Sequence, residues 1–129
     1  ILGAPHAQYA MARQCGVVLQ LEELRGYNFA DETLRIPMEK LCDYLRVIEQ
    51  DYKETNPYHN QIHAADVVQT LHTLIQMIGD SFPTNKIDIF SILLAAAVHD
   101  VKHPGENNSF QANARTDLAL LYNDISILE

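Results

Sequence analysis

The chain has 129 residues, 47% of them hydrophobic, with five glycines, five prolines, no tryptophan and a formal charge of −8. That length fits one domain with a packed core, the apolar content excludes a disordered chain, and scarce Gly and Pro argue against a turn-rich β-sandwich. The negative charge excludes nucleic acid and anionic membrane as primary partners, because both need clustered Lys and Arg.

Apolar residues recur at helical spacing along most of the chain. "AQYAMARQCGVVLQLEEL" (7–24) predicts a first, weakly patterned helix, and "RGYNFADETLRI" (25–36) a connector. In "PMEKLCDYLRVIEQDY", Leu41, Leu45, Ile48 and Tyr52 share one helix face, and Pro37 suits the first turn, where its missing N–H costs nothing. "HNQIHAADVVQTLHTLIQMIG" predicts a long helix over 60–79, with Gly79 as a natural terminator. "SFPTN" reads as a loop, and Thr84 or Asn85 can cap the helix that follows. "KIDIFSILLAAAVHD" opens a helix over 86–101, apolar almost all round in its second half and so expected at the centre of the fold. "HPGENN" breaks it, and "SFQANARTDLALLYND" resumes as one helix capped by Asn108 or Ser109. The expected fold is all-α, a compact bundle of about five or six helices.

Cys15 and Cys42 fit no metal or redox spacing and read as buried thiols in a reducing, cytoplasmic compartment. The longest apolar stretch, "IFSILLAAAV", falls well below the ~20 residues of a spanning helix, and no signal-peptide pattern is visible. Opening on Ile and closing on "ISILE", the chain looks like a piece of a longer protein.

Two histidine groups carry the chemistry. In "NPYHNQIHAAD", His59 and His63 are four apart, with Asp66 three further on; on a helix the two imidazoles share one face, one turn apart. Alone, the pair is also compatible with a polar helix end. In "HDVKHPG", His99 and Asp100 directly follow the most apolar stretch of the chain. A carboxylate there wants a cation, strong donors or solvent, because burying it unpaired is costly. An exposed helix C-terminus would welcome the His but not the Asp. The short 80–85 loop makes the two flanking helices antiparallel neighbours, so the two groups are expected to meet. Imidazole and carboxylate suit zinc, and a carboxylate can bridge to a harder ion such as magnesium or manganese. His72 and His6 read as packing or surface residues.

"NPYHNQIHAADV", "AAAVHDVKHPGENNSF" and "ARTDLALLYNDISILE", in this order and at this separation, resemble the class I 3′,5′-cyclic nucleotide phosphodiesterases of the HD metal-phosphohydrolase superfamily, over most of residues 40–129. The resemblance implies metal-dependent hydrolysis of cAMP or cGMP to nucleoside 5′-monophosphates. The nucleophile would be hydroxide held by two divalent ions, Zn2+ with Mg2+ or Mn2+, and His59 would be the general acid. It matches His63, His99 and Asp100 to protein ligands of the zinc, with Asp100 also touching the second ion. His103 and Glu129 match groups that hold waters of that ion, Tyr58 and Asn108 line the pocket near the phosphate, and Asp66 is structural. The wording of residues 113–126 looks most like the cGMP-preferring subgroup.

Lys102 stands where the family usually carries an acid, and it is placed to weaken ion binding or to claim Asp100. The resemblance also implies that residues 1–129 are the N-terminal part of a catalytic domain. A fourth ligand, an Asp, and a glutamine–aromatic purine clamp would then lie beyond Glu129, hydrophobic faces would be left exposed, and this piece alone would be unstable or inactive. Regulatory domains or membrane association would belong to other parts of the protein. Two further readings are another HD-type nucleotide phosphohydrolase and a non-catalytic regulatory homologue.

Overall fold

A computed structural model describes residues 35–79 and 85–129; the first expected helix, most of the connector after it, Cys15 and His6 lie outside the described residues. The described residues form five α-helices: α1 (Met38–Gln50), α2 (Gln61–Ile78), α3 (Lys86–Val98), α4 (Asn108–Ala114) and α5 (Asp117–Leu121). The fold is all-α, as the periodicity predicts. Among the described residues no helix is long and apolar enough to cross a membrane.

The α1 face drawn from the sequence is the buried one. Leu41 and Leu45 lie in the core with Tyr52, and Ile48 packs against it. Pro37 sits one position earlier than expected, as the N-cap: its φ of −60° is helical, but its ψ of 128° is extended, and its carbonyl accepts the Leu41 N–H. Tyr52 stands just past the helix, not in it. Arg46 and Asp43 pair at 2.7 Å on the open face, a contact that adds little stability because both side chains are solvated. Cys42 is half-buried and in no disulfide.

α2 and α3 are the antiparallel pair that positions the site. Asn60 caps α2 by accepting from the amides of Ile62 and His63, and Gly79 ends it at φ 57°, a left-handed backbone that glycine adopts without a Cβ penalty. Asn85 caps α3 by accepting from the Asp88 amide. Ala64, Val68 and Ile75 of α2 meet Leu93, Ala96 and Ala97 of α3 in the core. Ala64, Ala96 and Ala97 are the small core residues next to the two histidine groups.

Four expectations need correction. Helix α3 is not buried all round: Ile87, Ser91 and Ala95, one stripe at i, i+4 and i+8, are exposed among the described residues. It also stops at Val98, three residues short of the expected end. The single helix over 109–124 is two. Asn107, not Asn108 or Ser109, caps α4 through the Phe110 amide, and Arg115 ends it in the left-handed region at φ 51°. Thr116 then caps α5 through the Ala119 amide. The Thr116 hydroxyl donates to Gln111 Oε1, and Gln111 Nε2 donates to Glu106, so a nearly buried amide holds the corner. Around α5, Leu120, Leu121 and Ile125 are 69%, 72% and 69% exposed, the apolar surface the sequence led us to expect.

Leu45 is fully buried in the cluster that seats α1 against α2 and α3. Leu45→Ala should destabilise the fold by about 2 to 5 kcal/mol through lost transfer energy and the cavity left behind. A denaturant titration of the full-length protein that moves by less than half a kcal/mol would show that α1 is not part of this core.

Candidate metal centre

The start of α2 and the end of α3 meet around one carboxylate. Asp100 Oδ2 lies 3.0 Å from His99 Nε2 and 3.4 Å from His63 Nε2, with the Asp100 side chain 14% exposed. That oxygen is buried and makes no hydrogen bond. The reason lies in the tautomer of His99. Its Nδ1 is 2.8 Å from the Ala96 carbonyl, which can only accept, so Nδ1 carries the proton of the neutral ring. Nε2 then turns a bare lone pair toward a carboxylate oxygen. Two such atoms at this distance repel unless a cation joins them, and one proton would serve only one of the two imidazoles that face Asp100. His63, His99 and Asp100 therefore form a group able to hold a divalent ion.

A second group shares the same acid: His59, Asp100 and His103, with ligand atoms within 4.8 Å of one another. His59 is not on the helix with His63, since it precedes the Asn60 cap; its ring is 6.0 Å from that of His63 and stacks on His103 at 3.9 Å, 17° from parallel. Starting α2 after the Asn60 cap is what frees His59 to turn toward residue 103. His103 Nδ1 accepts the Gly105 amide, which leaves Nε2–H as the donor of its neutral ring. Burial first, then the nearby His59, push the His103 imidazole below its ordinary range, against the pull of Asp100.

Other predicted residues lie at the rim. His59, His99, Asp100, His103, Asn108 and Glu129 line one open cavity of about 480 Å³. Asn108 Nδ2 donates to both Glu129 oxygens, at 3.0 and 3.3 Å, and Asn108 Oδ1 accepts the Leu128 amide, so this side chain brings residues 128–129 to the cavity. The Asn108 bond is the largest cause holding the Glu129 carboxyl below its usual range. Tyr58 is exposed and outside this cavity; its ring lies 4.4 Å from His63 and edge-on to His59. Asp66 is exposed and borders a separate hollow with Tyr58 and His63. Lys102 does not claim Asp100. Its ammonium lies 3.4 Å from Asp51, and its backbone turns away at φ 62°. His72 is half-buried on α2, and burial pushes its imidazole down.

The residues that hold this arrangement carry no metal-ligand pattern and were not among the sequence candidates. The buried Tyr52 hydroxyl donates to the Ala97 carbonyl at 2.9 Å and accepts the Asp100 amide at 3.3 Å. It thereby satisfies an orphan carbonyl at the end of α3 and fixes the turn carrying His99 and Asp100. The Lys102 amide donates to the Asp51 carbonyl in the same connector. Asn56 Nδ2 donates to the carbonyls of His59 and His103. The only sequence signal was the position of Tyr52 in the apolar periodicity of α1.

A family model described as 3′5′-cyclic nucleotide phosphodiesterase matches residues 58–129, the span that contains both groups. The chain belongs to that family. Over 98 residues, 76% of this chain, it is 49% identical to 3′,5′-cyclic-AMP phosphodiesterase 4 of Dictyostelium discoideum and 44% identical to 3′,5′-cyclic-nucleotide phosphodiesterase regA of the same organism. Over 96 residues, 74% of this chain, it is 44% identical to the mouse dual specificity calcium/calmodulin-dependent 3′,5′-cyclic nucleotide phosphodiesterase 1C. The match covers 9%, 12% and 14% of those three proteins, so this phosphodiesterase-family chain spans a small part of the length of its relatives.

Tyr52→Phe removes one hydroxyl and leaves the Ala97 carbonyl and the Asp100 amide without their partner. We expect a loss of about 1 to 3 kcal/mol in denaturant unfolding and weaker divalent-ion binding in a metal titration. Unchanged metal affinity in a folded variant would show that the Tyr52 bonds do not set the Asp100 turn.

Proposed function

We propose that the protein containing this chain hydrolyses 3′,5′-cyclic nucleotides to nucleoside 5′-monophosphates, with His63, His99 and Asp100 as ligands of a zinc ion and Asp100 shared with a second ion, magnesium or manganese. The observation that carries this reading is the buried, unbonded oxygen of Asp100 facing two imidazole nitrogens, in a chain of the phosphodiesterase family. Residues 1–129 are the N-terminal part of the catalytic domain in this reading, and a fourth ligand and the purine contacts come from the rest of it. Bound here, the two ions would offset charge on the phosphoryl oxygens and make a water nucleophilic near neutral pH.

His59 acts as the general acid. As water oxygen bonds to phosphorus, the P–O3′ bond breaks, and the departing 3′ oxygen takes its electron pair and the proton of the His59 imidazolium. A histidine suits this task because its ordinary pKa lies close to neutrality. Its ring stands on the cavity wall beside Asp100, against His103. With Nδ1 engaged by the Gly105 amide, His103 offers Nε2–H to a water. The Glu129 carboxylate, kept ionised by Asn108, offers an acceptor on the same wall. Both fit groups that hold waters of the second ion. Tyr58, packed on His63, orients that ligand from outside.

The substrate is proposed at the level of the class. Residues 113–126 lean toward the cGMP-preferring subgroup, whereas the relatives are named for cyclic AMP, for cyclic nucleotides and for dual specificity. Lys102 pairs with Asp51 and not with Asp100, which supports the catalytic reading over a non-catalytic homologue. We place the protein in the cytoplasm, with regulatory partners engaging other parts of it.

Full-length protein should carry divalent metal by elemental analysis and release 5′-monophosphate from cAMP, cGMP or both. His59→Ala should cut turnover by about 10²- to 10⁴-fold with metal content unchanged, whereas Asp100→Asn should lose both metal and turnover. A metal-loaded protein that hydrolyses neither nucleotide would sink the reading. Lys102→Ala should leave kcat within about twofold, since an exposed ion pair is worth little; a larger change would mean that Lys102 acts on the site.

A further inference from the structure

We infer that Asn56 is a positioning residue for the proton-donating step: it clamps the two backbone segments that carry His59 and His103, and so sets the place of His59 at the cavity. The inference rests on the general-acid reading of His59 given above. Asn56 is a buried polar residue, 7% exposed, flanked by exposed residues at 53–55 and 57–58. Its amide donates to the His59 carbonyl at 3.0 Å and to the His103 carbonyl at 2.9 Å, the second lying 47 residues from Asn56 in sequence. Both protons of its amide are thus spent on the two residues whose rings stack at 3.9 Å.

The clamp is tight on every side. A Cβ built on Gly105 would lie 2.6 Å from Asn56 Oδ1, so the second histidine loop passes directly against the Asn56 side chain, and Gly105 holds φ 92°, a conformation L side chains rarely adopt. The Asn56 carbonyl in turn accepts from Asn60 Nδ2, and Asn60 Oδ1 caps α2 at the His63 amide. One side chain therefore ties His59 to the His103 loop, while its own backbone is tied to the helix that carries His63. None of these bonds touches the cavity, so Asn56 acts through His59 and not on substrate. Asp would keep the size of Asn56 but turn a second acceptor toward two carbonyls, so the amide is required for its donors.

A leaving group that needs no proton separates this role from general destabilisation. Full-length wild type, Asn56→Ala and Gly105→Ala are compared on a cyclic nucleotide and on its analogue with sulfur as the 3′ bridging atom. Metal content and amide hydrogen exchange over 57–60 and 103–106 are measured on the same samples. Asn56→Ala should lower kcat on the oxygen substrate by about 10- to 100-fold, the cost of a small misplacement, with KM and metal content little changed. It should leave the sulfur analogue within about threefold and speed exchange in both segments together. Gly105→Ala should show the same pattern and add little further loss on top of Asn56→Ala, because the clash it creates is with that side chain. Equal losses on both substrates, no loss on either, or exchange quickened in one segment only would overturn the proposal, as would failure of both single variants to fold. His59→Ala is the control for the underlying reading: if it loses both substrates equally, the assignment of His59 fails and not the clamp alone.

Discussion

The structure turns on one carboxylate oxygen that is buried and makes no hydrogen bond. Asp100 is carried to the end of an apolar helix, largely out of solvent, and set against two imidazole nitrogens. A buried acid in that position is unfavourable by several kcal/mol unless a cation compensates it. The fold does not relieve the problem with donors of its own. It spends the Nδ1 proton of His99 on a backbone carbonyl and the Asp100 amide on Tyr52, which leaves the carboxylate oxygen free. A site built this way is organised for a positive charge before any arrives.

The connector between α1 and α2 is what makes that organisation rigid. Within six residues it places the Asp51 carbonyl on the Lys102 amide, the Tyr52 hydroxyl on both sides of the α3 terminus, and the Asn56 amide on the His59 and His103 carbonyls. Loops are usually the mobile part of a fold, but a loop bonded in this way to a helix end and to a second loop shares the stability of the core beneath it. The core contributes in turn: Tyr52 is itself one of its buried residues, so packing and polar positioning pass through the same ring.

The corner at Arg115 and Thr116 has a related effect. Had residues 109–124 continued as one helix, the segment around Glu129 would have been carried away from the cavity. The break lets the chain return, and Asn108 then captures residues 128 and 129. The result is a wall with imidazole on one side and a carboxylate on the other, around an opening with room for a small charged ligand. The apolar residues of α5 and its flank remain uncovered at its edge.

Much of this was legible in the residues. The period of the apolar positions gave the all-α fold, the buried face of α1 and the extents of α2 and α3 to within a few residues, because hydrophobic burial follows helical repeat directly. Gly79 could be named as a helix boundary, and the next cap narrowed to Thr84 or Asn85, because their chemistry is local. The meeting of His63 with His99 and Asp100 followed from two helices joined by a short loop. The helix break at 115 was misjudged although Thr116 is a good cap, because an unbroken apolar period outweighed it. Other features lay outside what local chemistry can specify. That Lys102 turns to Asp51, and that Tyr52 and Asn56 hold the site, depend on partners 45 to 51 residues away in sequence. Residue identity decided which groups could bind a cation; only the packed backbone decided which polar atoms were left unbonded to do so.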